Sequence, residues 1–504
     1  MPNLLPGLIS PHPVDWIAPP ASPFAFIIQE TSRLADMAPQ ILQMIDSDLN
    51  NAALDKKTVR IIDRQARHQQ QGFLPGSEGV GAVPASEMGP LSDGRPRMDA
   101  RTCLLFLVIR GYLGGIKSKR AMEFMTESMS LHLYLAKQGT NMPSFSTINE
   151  NVNYVGQKTR DAILDAQTQW IKTLGLDDFK DITIDSTVTE ANSCWPTDSK
   201  FIWMLVERMC RGLQGMEKFD LPKLIEKQIP DIQVDLHRLD FEIACASGKK
   251  KAEEIREAKY TELLDLAENA SQAFSEAIPL LKAMVDQKKY LPSKREKVVA
   301  RLGSLQNDLE ALDHLICISA GRVLEKKKIA NEDRVPSISD PDAAFISKGQ
   351  RETQLGYRIQ VSKSANGFVL AVVVPQGNAA DSDQLPVICD ATFIRTGVVP
   401  LTLSVDDGYT SQFNWDWLKE KKGVSVPSFS GSKGKKITPE QDWESDIFRE
   451  TRRMRSAVES VIFQLRRIVN IGSAVRRGIE KVREELTEKV VAFNFYRMQY
   501  LTRQ

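Results

Sequence analysis

The chain has 504 residues, with 66 Lys and Arg against 65 Asp and Glu, so its formal net charge is +1. That is too long for one core, since domains usually run to roughly 100–200 residues. The balanced charge carries no compositional sign of a nucleic-acid partner, which has to be read from local charge instead.

The six cysteines (Cys103, Cys194, Cys210, Cys245, Cys317, Cys389) form no close pairs, and the five histidines are equally scattered. This argues against a zinc knuckle or disulfide scaffold and suits a reducing cytoplasm; any metal should be a hard cation held by carboxylates. The best apolar run, residues 103–109, stops at Arg110, well short of the about 20 residues a membrane span needs. No basic start followed by an apolar stretch marks a secretory signal. A cytoplasmic protein without a membrane partner is expected.

In chain order, residues 1–25 are rich in proline and predict no regular structure. Apolar spacing (Ile28, Leu34, Met37, Ile41, Leu42, Ile45) predicts a helix over 27–49, and a second helix follows around 56–70. Residues 72–96, dense in Gly, Pro and Ser, read as a linker. Helical pattern returns over 99–174, with Ser144 placed to cap one start. Short helices beside Lys117, Lys119 and Arg120 fit a helix-turn-helix-like DNA module, and equally a plain helical bundle. Residues 181–188 alternate and are β-branched, which predicts a strand. A charged helical region follows over 201–334, where Val298, Leu302, Leu305, Leu309, Leu312 and Ile316 form a seam for packing on another helix. Strands return with Tyr357, Ile359 and Val361, the Asn366-Gly367 turn and the apolar stretch 368–374. Next come a helix from Asp381, a strand over 401–406 that ends in acid, a short strand over 424–426, and helices over 443–468 and 478–500.

With the helical block set aside, this order is that of an α/β ribonuclease H-like domain: a mixed sheet with an antiparallel hairpin and then parallel strands. A large helical insertion and an α-helical N-terminal domain complete the expected fold class. The expected domains are a Pro-rich segment with short helices and linker (1–98) and a helical DNA-binding domain (99–178). The catalytic domain is expected over 179–200 and 336–495, with the insertion over 201–335 and a tail over 496–504.

Two predicted strands end in an acid, Asp185 and Asp406, and Glu459 lies on the helix after the last strand. Phosphodiester chemistry with two Mg2+ ions, roughly 3.5–4 Å apart, needs such carboxylates; one ion activates the attacking oxygen and one steadies the leaving oxygen. Octahedral Mg2+ tolerates little error, so its ligands belong on rigid elements. In Ile184-Asp185-Ser186-Thr187 the acid lies in an apolar strand, where an unpaired carboxylate is costly. In Val405-Asp406-Asp407-Gly408-Tyr409 the glycine permits a sharp turn, and Asp407 rivals Asp406 as ligand. Arg455 precedes Glu459 by one helical turn, and Arg466 returns to that face two turns on. Singly, each aspartate could be a turn former, and Arg455 with Glu459 a solvated ion pair. Lys419, Lys421, Lys422, Lys433, Lys435 and Lys436, with arginines from Arg449 to Arg477, line a candidate phosphate path, or a solvated face. Tyr409, Trp415 and Trp417 could stack on frayed bases or form a packed core edge.

These residues resemble the signature blocks of insertion-sequence DDE transposases, of the ISNCY-like kind. Asp185-Ser186-Thr187-Val188-Thr189-Glu190-Ala191-Asn192, followed by Trp195-Pro196-Thr197-Asp198-Ser199, resembles their first-aspartate block. Gly349, Gly356-Tyr357-Arg358-Ile359, Gly377-Asn378 and Asp381-Ser382 resemble the middle block. Asp406-Asp407-Gly408-Tyr409 resembles the second-aspartate block, where the acid two before the glycine is the ligand, which favours Asp406. Arg455, Glu459 and Arg466 follow the Tyr-x2-Arg-x3-Glu-x6-Lys signature, with Arg452 in place of the tyrosine and Arg466 in place of the lysine.

The resemblance implies a metal-dependent enzyme with catalytic and metal-binding Asp185, Asp406 and Glu459, and two Mg2+ ions for which Mn2+ can substitute. It implies double-stranded DNA partners, the terminal inverted repeats and the target, with Arg452, Arg455, Arg466, Lys433, Lys435 and Lys436 on phosphates. A homodimer or larger assembly on DNA, nucleoid-associated when bound, goes with it. The alternatives are a nuclease of the same fold that cuts without joining, a non-catalytic DNA-binding derivative, and a helical scaffold built on 201–335.

Overall fold

The structure, a computed structural model, describes residues 23–71, 98–114, 128–194, 197–222, 229–246, 251–329, 333–347 and 353–502. The first 22 residues, the expected linker, Lys117, Lys119, Arg120, Trp195, Pro196 and Gly349 lie outside the described residues. Contacts divide the chain into two compact units, one of 1–52, 93–193 and 342–504, the other of 53–92 and 194–341.

The chain opens with α1 (Pro23–Met37) and α2 (Pro39–Gln71). The single helix expected over 27–49 is broken at Ala38, because Pro39 has no N–H to donate back into α1. The gap expected before residue 56 is absent: residues 50–55 contain neither Gly nor Pro, and the helix runs on. Among the described residues α3 (Ala100–Tyr112), α4 (Met129–Lys137), α5 (Phe145–Tyr154) and α6 (Gln157–Thr173) follow. Asp99 caps α3 by accepting from the Thr102 N–H at 2.9 Å, and Ser144 caps α5 as expected.

After β1 (Asp181–Glu190) comes the second unit, with α7 (Asp198–Gln214), α8 (Ile229–Ala244), α9 (Ala252–Gln287) and α10 (Pro292–Ser319). The seam from Val298 to Ile316 is buried on α10, in a core shared with Leu263, Ala267, Phe274 and Leu281 of α9. The seam therefore packs within the chain, and among the described residues no helix is long and apolar enough to cross a membrane.

The chain returns through β2 (Ala344–Ile346), β3 (Gln354–Ser364), β4 (Val369–Val373), α11 (Asp381–Thr396), β5 (Thr402–Val405), β6 (Val426–Phe429), α12 (Ser432–Ile437), α13 (Asp446–Val469) and α14 (Ile479–Thr502). The strand order is β2-β3-β1-β5-β6, with β4 also on β3. The sheet is mixed: β3 runs antiparallel to β1, β2 and β4, while β1, β5 and β6 run parallel. β3 approaches β1 so closely that a Cβ at Gly356 would lie 2.1 Å from the Thr189 carbonyl oxygen. That explains the glycine in the Gly356-Tyr357-Arg358-Ile359 motif.

Helices α3, α5, α6 and α14 of this unit are tied together around one carboxylate. Glu488 on α14 is 1% exposed and accepts from Arg110 of α3 at 2.6 and 2.9 Å, Arg160 of α6 at 2.8 Å and Arg476 at 3.1 Å. Arg110 also donates to Asn153 on α5 at 2.8 Å. Burial pushes the Glu488 carboxyl up, but Arg110, Arg476 and Arg160 more than reverse this and hold it at about 2. Glu488→Ala should strand these guanidinium groups and cost about 3–5 kcal/mol in urea denaturation. A folded-state value below the ordinary 4.5 means stability that is complete above pH 4.5 and lost as pH falls toward 2. The difference between wild-type and Glu488→Gln stability curves should therefore shrink over that acid window and stay flat from pH 5 to 7.

Candidate active site

The pairing of β1 with β5 ends at Thr183 opposite Ser404. Extended two residues past that last pair, the same register would set Asp185 opposite Asp406. Asp185 is 8% exposed, and its carboxylate accepts from the Ser186 N–H at 2.7 Å. Asp406 lies just past β5, caps the short 3-10 turn Asp407–Tyr409, and accepts from the Asp407 N–H at 2.7 Å.

The helix α13 packs over β1, β5 and β6. Its Arg455 pairs with Asp406 at 3.2 Å, rather than forming the solvated pair with Glu459 that spacing alone allows. Further along the helix, Arg466 donates to Thr187 Oγ1 at 2.9 Å. Thr187 and Asp185 are two apart on one strand, so both face α13. Glu459 lies between the two arginines, one turn beyond Arg455, and is exposed. The segment after α13 is fastened to the end of β1: Glu190 and Ala474 bond at 2.8 Å, and Thr189 donates to the Ile471 carbonyl at 2.8 Å. Beneath it, fully buried Lys489 donates to the Asn470 and Ser473 carbonyls and pairs with Glu485, which accepts from the Val475 and Arg476 N–H groups.

Asp407 has other partners. It accepts from the Lys433 and Gly434 N–H groups at 3.1 Å each, and so caps α12. Gly431 (φ 103°) adopts a conformation side chains avoid, and a Cβ there would lie 2.5 Å from the Asp407 carboxyl carbon.

Lys433, Lys435 and Lys436 are exposed on and beside α12. Arg452 stacks its guanidinium on Trp443, 4.0 Å from the ring centroid, and lies 5.3 Å from that of Phe448. Sequence reading passed over Trp443; an aromatic nine residues before an arginine of the signature was the available signal. Tyr409, Trp415 and Trp417 are buried at 0%, 7% and 8% exposure, so the core reading of these rings replaces base stacking. The glycine at 408 lacks the positive φ of a sharp turn. Its Cα instead faces Asp381, where a Cβ would lie 3.3 Å from Oδ2. Asp198 pairs with Arg322 at 2.6 Å in the other unit.

Hard oxygen donors on neighbouring rigid elements suit Mg2+. Asp185 and Asp406 fit that need in register and chemistry, and Glu459 in chemistry and helix position. Among the described residues, however, no three His, Cys, Asp or Glu side chains are close enough together to enclose an ion.

Residues 333–495 match the family model of the transposase DDE domain. The match spans the second and third acids and leaves Asp185 outside. No curated protein and no solved structure matches the chain.

The two adjacent aspartates should separate in thermal unfolding. Asp407→Ala uncaps α12 and should cost about 1–2 kcal/mol. Asp406→Ala, which loses a partly exposed pair with Arg455 and the one N–H bond from Asp407, should cost about 1 kcal/mol or less. The opposite order would exchange their roles.

Proposed function

Because residues 333–495 carry a transposase DDE domain, we propose that the chain is an insertion-sequence transposase that cuts element ends and joins them to target DNA. The observation that carries this reading is the parallel pairing of β1 with β5 over residues 181–183 and 402–404; both strands lead on to an acid, Asp185 and Asp406, beneath the helix that bears Glu459. The mixed sheet, interrupted after β1, fits a ribonuclease H-like catalytic domain over 179–200 and 336–495, with the helical residues 99–178 proposed to contact DNA. The ISNCY-like affiliation rests on the order of the sequence blocks.

Asp185, Asp406 and Glu459 would hold two Mg2+ ions, or Mn2+ in their place, which supply charge neutralisation for the attacking and leaving oxygens. A water oxygen attacks phosphorus at the element end, and the P–O3′ bond breaks to give a 3′ hydroxyl and a 5′ phosphate. That hydroxyl then attacks a target phosphodiester and displaces a new 3′ hydroxyl. One phosphodiester forms as one breaks, so no nucleotide triphosphate is needed.

The Arg455 Nε–H is buried without a hydrogen-bond partner, which leaves a donor for a phosphate oxygen beside Asp406. Arg452, stacked and planar, and exposed Lys433, Lys435, Lys436 and Arg466 extend that contact along the backbone. Two element ends must be cut together, so a homodimer or larger assembly on DNA is part of the proposal.

The test uses a labelled duplex taken from the DNA flanking the gene, a target plasmid and Mg2+. Alanine at Asp185, Asp406 or Glu459 should reduce cleavage by about a thousandfold or more, with duplex affinity within about threefold of wild type. A joined product supports a transposase, and cleavage without joining supports the nuclease alternative. Full activity in Asp406→Ala removes that residue from the triad.

A further inference from the structure

Asp381, the first residue of α11, is 8% exposed and contacts β1 from the face opposite α13. Its Oδ2 accepts from Ser186 Oγ at 3.1 Å and from Arg358, and its Oδ1 accepts from Gln360 Nε2 at 2.9 Å. Gln360 Oε1 in turn accepts from the Tyr409 hydroxyl. Arg358 balances the buried charge and also donates to Asn378 Oδ1 at 3.2 Å.

These partners are the immediate neighbours of the two strand-end acids. Ser186 follows Asp185, and its backbone N–H holds the Asp185 carboxylate. Tyr409 closes the turn whose first N–H holds the Asp406 carboxylate. Gly408, in the middle of that turn, lies against Asp381 itself. One arm from Asp381 therefore reaches the Asp185 side through Ser186, and a second reaches the Asp406 side through Gln360 and Tyr409. The burial of Tyr409 and the nearby Asp381 and Asp185 carboxylates hold its hydroxyl far above its ordinary value, so it stays a donor. An anchor for α11 alone would need one such bond; this carboxylate has its partners on β1 and β3 and, through Gln360, in the turn after β5.

We infer that Asp381 is a positioning residue that fixes the spacing of Asp185 and Asp406 from behind the sheet, touching neither metal nor DNA. The inference rests on the transposase reading, in which those two acids share metal ions. Carboxylates that orient metal ligands typically change metal affinity by about 10–100-fold when removed.

The test compares Ser186→Ala, which cuts one arm, Tyr409→Phe, which cuts the other, and Asp381→Asn, which weakens both. Mn2+ binding to the protein alone is read from free Mn2+ by electron paramagnetic resonance. The single-turnover cleavage rate and thermal unfolding are followed alongside it. Each single-arm variant should weaken Mn2+ binding about 3–10-fold, and Asp381→Asn about 10–100-fold, with cleavage falling in parallel. Ser186→Ala added to Asp381→Asn should cost less than Ser186→Ala does alone, since that arm is already weakened. Lower unfolding temperatures with unchanged Mn2+ affinity per folded molecule would show a purely structural carboxylate and overturn the inference. If the wild-type protein neither binds Mn2+ nor cuts, the transposase reading falls and takes the inference with it. Wild-type cleavage beside unmoved variants removes Asp381 alone.

Discussion

The pairing of β1 and β5 is the constraint on which the rest of the site depends. Two parallel strands in fixed register bring residues 181–183 and 402–404 alongside each other, although residues 194–341 of the second unit are threaded between them in sequence. Side-chain alternation then decides which face each residue serves. Asp185 and Thr187 face α13, and Ser186 faces Asp381. A slip of one residue would exchange those faces and send Ser186 to the site in place of Asp185. The register is held well beyond the two strands: β3 backs β1 along its length, Gly356 permits the close approach, and the segment after α13 is fastened to Glu190. The Glu488 cluster holds α14, which carries the lysine and glutamate that clamp that same segment.

Four acids in one small region have been given four environments. Asp185 is buried in a strand beside a backbone N–H, and Asp406 is half exposed against Arg455. Asp407 caps a helix, and Asp381 is buried with Arg358 and two neutral donors. Composition does not distinguish them, and neither does spacing, since Asp406 and Asp407 are neighbours. Their roles follow from which polar groups the backbone has already committed. A carboxylate filled by two helix N–H groups has little left to offer a cation. One whose only charged partner is a partly exposed arginine retains the freedom to exchange it.

The elements that pattern defines were legible in the sequence. The β-branched alternation of β1, the Asn366-Gly367 turn and the seam on α10 all appear where the spacing put them. Each depends on neighbours within a few residues. The break at Pro39 was legible in principle but was overridden by an apolar period that continues through it. Gly408 was read as a turn glycine when its reason is a carboxylate 27 residues earlier in the chain, and Tyr409, Trp415 and Trp417 were open to two readings that only burial could separate. The Glu488 cluster was beyond reach for the same reason. Arg110 and Glu488 are 378 residues apart, and in the sequence alone each is an ordinary charge in a helix.

The Arg455–Asp406 pair has a further physical consequence. Two carboxylates brought together on adjacent strands would repel, and a site built from them would need positive charge even without metal. Arg455 supplies it from the helix that also carries Glu459. Its planar fork also matches phosphate as well as carboxylate. In the proposed reading, divalent cations held by the aspartates would free the same arginine for the next anion in reach, which on DNA would be a backbone phosphate. Under that proposal metal loading and phosphate contact would share one side chain, and the Arg-x3-Glu order would set the exchange of charge between α13 and the end of β5.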